Sequence, residues 1–321
     1  MGQLLSIIVP CYNEAAALPY FFSEIKRTAD GLFRGQGLES ELLFVDDGSR
    51  DGTLDLLRQY AREDPRVRYI SLSRNFGKDS AIYAGLENAR GDYAVTMDAD
   101  LQDPPSLLPE MLEAVRGGYD SAAARRVTRK GEPPIRSFFA RMFYKLIHRL
   151  SKTDIVDGAR DYRLMTRPMV DAVLSMGEYN RFTKGIYGWV GFQTKWIPYE
   201  NAERVAGETK WSFRALFLYS LEGIVAFSTT PLAVSSVMGV LLCLGSFIWL
   251  LYIVISTLWN GAPTPGVPTL ACLLLMLGGS LHLSLGILGQ YLAKIYLETK
   301  KRPLYIVKET EKTAPHAEKE M

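Results

Sequence analysis

Between Glu222 and Lys294 the chain carries no aspartate, glutamate, lysine or arginine, a gap of 71 residues spanning 223–293. A soluble core does not run that long without charge. A bilayer span takes about 20 apolar residues, so the stretch has room for two. Gly261-Ala262-Pro263-Thr264-Pro265-Gly266-Val267-Pro268 interrupts it with turn-forming residues. Two spans are therefore predicted, at about 230–258 and 269–293. Lys210 and Arg214 precede the first span, Lys294, Lys300, Lys301 and Arg302 follow the second, and the linker has no basic residue. The excess of basic residues on one side predicts a multi-pass protein of the cytoplasmic (inner) membrane, with both termini facing the cytoplasm. The N-terminus shows no basic region leading into an apolar run and a small-residue cleavage site, so residues 1–210 are expected not to be secreted.

Outside this stretch the composition is that of a globular protein. Of 321 residues 48% are hydrophobic and 22% charged, which excludes a disordered or collagen-like chain. A net charge of +2 argues against a nucleic-acid footprint. The 3 cysteines, Cys11, Cys243 and Cys272, have no metal-ligand spacing and offer no disulfide framework.

Residues 1–210 alternate between two periodicities. Ser6-Ile7-Ile8-Val9, Leu42-Leu43-Phe44-Val45, Val67 to Leu72 and Tyr93 to Met97 read as strands. Leu18, Phe21, Phe22 and Ile25 recur at helical spacing, Thr53 is placed to cap a second helix, and further helices are predicted from about Ser80 to Ala89 and from Pro104-Pro105 to Gly117-Gly118. Strands separated by single helices imply right-handed βαβ units and a parallel sheet. Each strand runs directly into a polar cluster: Tyr12-Asn13-Glu14, Asp46-Asp47, Arg74-Asn75-Phe76-Gly77-Lys78, and Asp98-Ala99-Asp100. In an open α/β sheet these clusters meet at the edge where ligands bind. Neither a G-x-G-x-x-G nor a P-loop motif is present.

So acidic an edge repels an anionic ligand unless a cation intervenes. Mg²⁺ or Mn²⁺ takes one or two carboxylates together with substrate phosphates. Asp98 and Asp100 lie two residues apart past a strand, and in extended backbone such residues point the same way, so both can face one ion and a diphosphate. Lys78 reads equally well as a phosphate contact or as a capping residue.

Pro10-x-Tyr12-Asn13-Glu14, Val45-Asp46-Asp47-Gly48-Ser49-x-Asp51-Gly52-Thr53 and Asp98-Ala99-Asp100-Leu101-Gln102-Asp103-Pro104-Pro105 resemble glycosyltransferase family 2 with the GT-A fold. Arg204-x-x-Gly207-x-Thr209-Lys210 and the two spans are similar to polyprenyl-phosphate glycosyltransferases, a group that includes dolichyl-phosphate mannose synthases. Arg181-Phe182-Thr183-Lys184-Gly185 and Trp189-Val190-Gly191-Phe192 resemble bactoprenol glucosyltransferases most closely. The resemblance covers nearly the whole chain up to about residue 305. It implies an enzyme that binds a nucleotide sugar through Pro10, Tyr12, Glu14, Asp46, Asp47, Asp98 and Gln102. A divalent cation, Mg²⁺ or Mn²⁺, would sit on Asp98 and Asp100, the acceptor phosphate on Arg126, Arg204 and Lys210, and the catalytic base would be Asp157. The chain departs from its relatives at Arg160-Asp161, where they often carry Ser-Gly.

The implied reaction is inverting transfer of one sugar to undecaprenyl or another polyprenyl phosphate. UDP-glucose is the favoured donor, with GDP-mannose or another UDP-sugar second. A processive polysaccharide synthase of the same superfamily needs more spans and a Gln-x-x-Arg-Trp motif, neither of which is present. The implied partners are the nucleotide sugar, the polyprenyl phosphate and the lipid bilayer, with a homo-oligomer left open and no nucleic acid. A lipid phosphate is already largely ionised, with a second pKa of about 6, so Asp157 has either a last proton to remove or an acceptor to orient. Phe138, Phe139, Met142, Phe143, Leu146, Ile147 and Leu150 alternate with Arg136, Arg141, Lys145 and Arg149, which predicts a basic amphipathic helix at about 135–150 lying on the membrane. The expected organisation is a cytoplasmic GT-A domain over 1–210, an interfacial helix over 211–228, two transmembrane helices within 229–294, and a cytoplasmic tail over 295–321 that is disordered from Glu309 onward.

Overall fold

Leu5, Ile7, Ile8 and Val9 are nearly consecutive, and all are buried. A strand apolar on both faces belongs in the middle of a parallel sheet covered on both sides. In the computed structural model, which describes residues 3–127, 156, 158–200, 230–260 and 266–313, these residues form the centre of strand β1 (Leu4–Cys11). Strands β2 (Glu39–Asp46) and β4 (Tyr93–Thr96) flank it in parallel, and β3 (Val67–Leu72) extends the sheet beyond β2. With β5 (Ser121–Arg126), β6 (Ala159–Thr166), β7 (Thr194–Tyr199) and β8 (Val307–Thr310) the sheet has eight strands, ordered β7-β5-β6-β4-β1-β2-β3-β8. Strand β6 is antiparallel to both β4 and β5, and β8 is antiparallel to β3. The sheet is therefore mostly parallel, as the GT-A expectation requires.

The order reverses beside β1. The chain steps outward through β1, β2 and β3, then returns to place β4 on the other side of β1. Right-handed crossovers put the helices of the first two steps on one face and the helix of the third on the other. Helices α1 (Leu18–Gln36), α2 (Thr53–Glu63) and α4 (Leu108–Arg116) share one core with Leu5, Ile7 and Val9. On α1, Leu18, Phe21, Phe22, Ile25, Ala29 and Leu32 recur at three- and four-residue spacing and are buried. Phe22 stacks on Tyr60 of α2 with ring centroids 4.1 Å apart, and Phe21 meets Phe44 edge-on at 6.2 Å. Helix α3 (Lys78–Asn88) lies on the opposite face, where a Cβ on Gly85 would stand 2.2 Å from Ile8 Cγ2, so only glycine lets the helix approach this closely. Helices α5 (Arg167–Ser175) and α6 (Thr183–Trp189) follow β6.

Thr53 begins α2 but does not cap it with its side chain. Asp51 accepts the Thr53 backbone N–H at 3.0 Å, and the Thr53 hydroxyl accepts the Glu14 backbone N–H at 2.9 Å. The capping expectation is thus corrected, because the buried hydroxyl ties the loop after β1 to α2. At the other end of α2, Asp64 receives a two-pronged hydrogen bond from Arg66 at 3.0 and 2.7 Å, and Arg66 also reaches Asp30 of α1 at 2.7 Å. Arg66 holds the buried Asp64 carboxyl at about 2, well below the usual carboxylate value. A depressed carboxylate stabilises the fold above its unfolded value, and that contribution disappears as pH falls from about 4 towards 2. Asp64→Asn is expected to lower stability at pH 7 by about 2 kcal/mol and to flatten the acid limb of a urea-denaturation series across that window.

The tail departs from expectation. Lys308, Glu309 and Thr310 belong to β8 on the β3 edge, and Glu309 is buried. Burial of one acidic residue among basic and phenolic partners overrides a polar composition that reads as disorder.

Two compact units emerge, Met1–Leu218 with Arg302–Met321, and Tyr219–Lys301. In the second, helices α7 (Thr230–Asn260) and α8 (Val267–Thr299) contain 31 and 33 residues. Ser235 donates to the Ser284 hydroxyl at 2.7 Å between them. Among the described residues no helix is long and apolar enough to cross a membrane. Over the full sequence these helices carry no charge before Lys294. Their described side chains include Phe247, Ile248 and Trp259, which are 59%, 66% and 86% exposed. The helices predicted at about 135–150 and 211–228 lie outside the described residues.

Candidate functional site

The reversal of strand order leaves a crevice outside the carboxyl ends of β1 and β4, the place where open α/β sheets bind ligands. The loops after β1, β2, β3 and β4 converge there through hydrogen bonds. Asp47 N donates to Cys11 O at 2.8 Å, joining the ends of β1 and β2. Asn13, in the left-handed region at φ 54°, donates its N–H to the Ser49 hydroxyl at 2.9 Å and accepts the Arg50 N–H at 2.8 Å.

Asp46 and Asp47 are both buried. Asp46 accepts the Ser49 N–H at 3.0 Å and the Ser71 hydroxyl at 2.8 Å. Asp47 accepts the backbone N–H groups of Phe76 and Gly77 at 2.6 and 2.9 Å, so its carboxylate holds the loop after β3 against the loop after β2. Burial raises the Asp47 carboxyl above its usual value, against the pull of those two N–H donors. Gly48 makes the approach possible: its φ is +67°, and a Cβ there would lie 2.5 Å from the Arg74 carbonyl carbon. Pro10, Tyr12 and Glu14 are half-buried on the same rim.

Asp98 and Asp100 follow β4. Ala99 between them is buried, while the two aspartates are half-buried. The chain leaves the strand for a turn here, so both carboxylates stand on the loop at the carboxyl end of β4. Asp100 accepts the Gln102 backbone N–H at 3.1 Å, and Leu101 between them takes the left-handed region at φ 55°. Gln102 in turn accepts from Arg160 at 3.3 Å. These are hard oxygen donors of the kind that Mg²⁺ or Mn²⁺ takes, and they fit such an ion. Among the described residues no three His, Cys, Asp or Glu side chains form a metal cage. A cation on this pair would complete its shell from phosphate oxygens and water.

Several side chains that the sequence left undecided join the site. The Lys78 ammonium lies 2.6 Å from Asp98 Oδ1 and 2.6 Å from Asp161 Oδ2. Burial opposes the charge on Lys78, but the Asp161 and Asp98 carboxylates outweigh it and hold the ammonium above its usual value. Burial likewise opposes ionisation of Asp161, and Lys78, with Lys184 and Arg160, keeps its carboxyl below the usual range. Asp103 is fully buried and accepts from Arg160 Nε at 3.1 Å and from the Tyr199 hydroxyl, anchoring the loop that carries Asp98 and Asp100. Arg160-Asp161, the departure from the family pattern, thus supplies partners for the Asp98-x-Asp100 loop and for Lys78. Periodicity could not reveal these partnerships, because they join β6 to loops about 60 and 80 residues away.

Arg126 ends β5, and its N–H donates to Gly158 O at 3.0 Å. Gly158 has φ +80°, and a Cβ on it would meet the Arg126 carbonyl oxygen at 2.5 Å. The backbone therefore brings Arg126 against the segment that follows residue 157. Asp157, Arg204 and Lys210 lie outside the described residues.

Comparison with known proteins agrees with this architecture. Residues 6–174 match the family model described as Glycosyl transferase family 2. The protein CsbB of Bacillus subtilis (strain 168) is 42% identical over 306 residues, covering 95% of this chain and 92% of its own. The prophage bactoprenol glucosyl transferase homolog of Escherichia coli (strain K12) is 37% identical, covering 96% of this chain and 99% of its own. The SfII prophage-derived bactoprenol glucosyl transferase of Shigella flexneri is 38% identical, covering 97% and 99%. With the family model spanning more than half of its length and relatives aligning almost end to end, the chain belongs to glycosyl transferase family 2.

Proposed function

We propose that this enzyme moves one hexose, glucose from UDP-glucose, onto the phosphate of a polyprenyl phosphate at the cytoplasmic face of the inner membrane. The observation that carries the reading is the loop after β4, where half-buried Asp98 and Asp100 follow the carboxyl end of the strand. Relatives named as bactoprenol glucosyl transferases, aligned over nearly the whole chain, support the lipid phosphate as acceptor and glucose as the sugar. Helices α7 and α8 are read as the two spans on the full sequence, whose uncharged stretch 223–293 covers most of both; their described residues taken alone are not apolar enough to register as spans. At 1.5 Å per residue each exceeds about 45 Å, more than the ~30 Å hydrocarbon thickness. Their exposed Phe247, Ile248 and Trp259 suit lipid rather than water, and the Ser235–Ser284 hydrogen bond is of the kind that joins membrane helices. In this reading both termini and residues 1–210 face the cytoplasm.

A lipid phosphate oxygen attacks the anomeric carbon as the bond from that carbon to the nucleoside diphosphate breaks, so configuration inverts. Mg²⁺ or Mn²⁺ bound at Asp98 and Asp100 would stabilise charge on the departing diphosphate. Asp47 orders the Phe76-Gly77 backbone that bounds the donor, with Pro10, Tyr12 and Glu14 on the facing rim. Asp103 and Arg160 fix the loop that holds the two aspartates and Gln102. Arg126, Arg204 and Lys210 are assigned to the acceptor phosphate, since two anions meet only where cations offset their repulsion. Asp157 orients that phosphate or removes its last proton. Rate enhancement then comes chiefly from positioning and fixed charge.

A panel of nucleotide sugars, given to the full chain with polyprenyl phosphate, tests the reading. UDP release that requires both UDP-glucose and the lipid phosphate is expected. GDP release with GDP-mannose would change the donor, and release across the panel that ignores the lipid would contradict the acceptor.

A further inference from the structure

Beside the Asp98-x-Asp100 loop lies a cavity of about 230 Å³ whose walls include Arg160, Arg163, Lys184, Tyr187, Phe192 and Trp196. Among the described residues three that line it are cationic and none is acidic. Arg163 and Asp161 sit two apart on β6 and share one face of the strand. The Arg163 guanidinium lies over the rings of Tyr187 and Trp196, at 4.7 and 5.2 Å, and its Nη1 donates to the hydroxyls of Ser121 and Thr194 at 3.0 Å each. Arg163 is 4% exposed, and among the described residues its buried Nε has no acceptor. Asp161 is the carboxylate that acts on Arg163 through charge, and it is already held by Lys78 at 2.6 Å. A buried guanidinium with a spare donor and no carboxylate of its own is costly unless an anion arrives to pair with it.

The cavity is smaller than the ~300–1,000 Å³ that encloses a whole small ligand, so it suits one group of a larger molecule. Its Arg160 wall also donates to Gln102 and Asp103, which places the cavity next to the loop of the two aspartates. We infer that this cavity is an anion pocket in which Arg163 and Lys184 seat the phosphate headgroup of the acceptor. The inference rests on the transferase reading above and adds to its acceptor residues two that the family motifs did not single out. The aromatic walls keep water from Arg163. Half-buried Lys184 supplies a second charge nearer to solvent.

Lys184→Gln is the decisive variant, because a half-buried lysine on α6 is replaceable without emptying the core, and Arg163→Lys is its companion. The full chain in detergent is titrated with farnesyl phosphate, farnesol and inorganic phosphate, and separately with UDP-glucose in the presence of Mn²⁺. Loss of one charged hydrogen bond predicts farnesyl phosphate binding weaker by about 10-fold or more in each variant, with farnesol binding and donor affinity unchanged. Inorganic phosphate should compete with farnesyl phosphate in the wild type and less well in Lys184→Gln. Wild-type affinity for farnesyl phosphate in both folded variants overturns the pocket, as does a loss confined to UDP-glucose, which would assign the cavity to the donor. The transferase reading fails separately, if the wild type makes no glycolipid from any donor while the cavity still binds inorganic phosphate.

Discussion

Asp98→Ala and Asp100→Ala are each expected to reduce turnover by more than about 100-fold, with the fold intact. Both residues are half-buried at the rim, so neither truncation opens a core cavity. The second expected result is a loss of Mn²⁺-dependent UDP-glucose binding, read by titration with and without the metal. The two variants also differ in a way that geometry dictates. Asp98→Ala leaves Lys78 with Asp161 alone, whereas Asp100→Ala leaves the Lys78–Asp98 pair whole. Wild-type rates in both variants would remove the cation assignment.

Glu309→Ala carries the largest expected effect on stability. Glu309 accepts from Arg58 Nε and Nη2 at 2.8 and 2.6 Å and from the Tyr69 hydroxyl at 2.7 Å. Tyr69 is buried, so truncation leaves its hydroxyl and a charged two-pronged bond unmatched. The expected loss is about 2–3 kcal/mol, at the lower end for a buried pair because Arg58 keeps some access to water. Arg58 holds the Glu309 carboxyl below its usual value. The contribution is therefore present above the unfolded carboxyl pKa and fades as the solution is acidified through and below it. Thermal unfolding of the full chain checks this. A lowered midpoint for Glu309→Ala with partial recovery in Glu309→Gln is expected, and an unchanged midpoint would mean that β8 adds nothing to the sheet.

Most of the parallel half of the sheet was legible in the sequence. Ile7 to Val9, Leu42 to Val45, Val67 to Leu72 and Tyr93 to Thr96 are apolar runs bounded by polar clusters, and all four form strands whose ends meet at the crevice. Local pattern suffices there because each strand is followed at once by its own helix. β8 was not legible, since a charged segment becomes a strand only when Arg58 and Tyr69, about 240 residues away, provide partners for Glu309. The same limit applied at the site. Asp98 and Asp100 declare themselves by spacing, whereas Lys78, Asp103, Arg160 and Asp161 acquire their roles through pairing across strands. Thr53 shows a local rule losing to a tertiary contact, because its hydroxyl is taken by Glu14 rather than by its own helix.

The central claim is that the aspartate pair works on a nucleotide sugar whose hexose ends up on a lipid phosphate. It is tested most directly by mass spectrometry of the lipid formed when the full chain, UDP-glucose, Mn²⁺ and undecaprenyl phosphate are combined. A lipid heavier by one hexose, joined through its phosphate and absent when EDTA is added, is the predicted result. Free glucose, a polymer, or a hexosyl lipid that still forms with the metal chelated would contradict it.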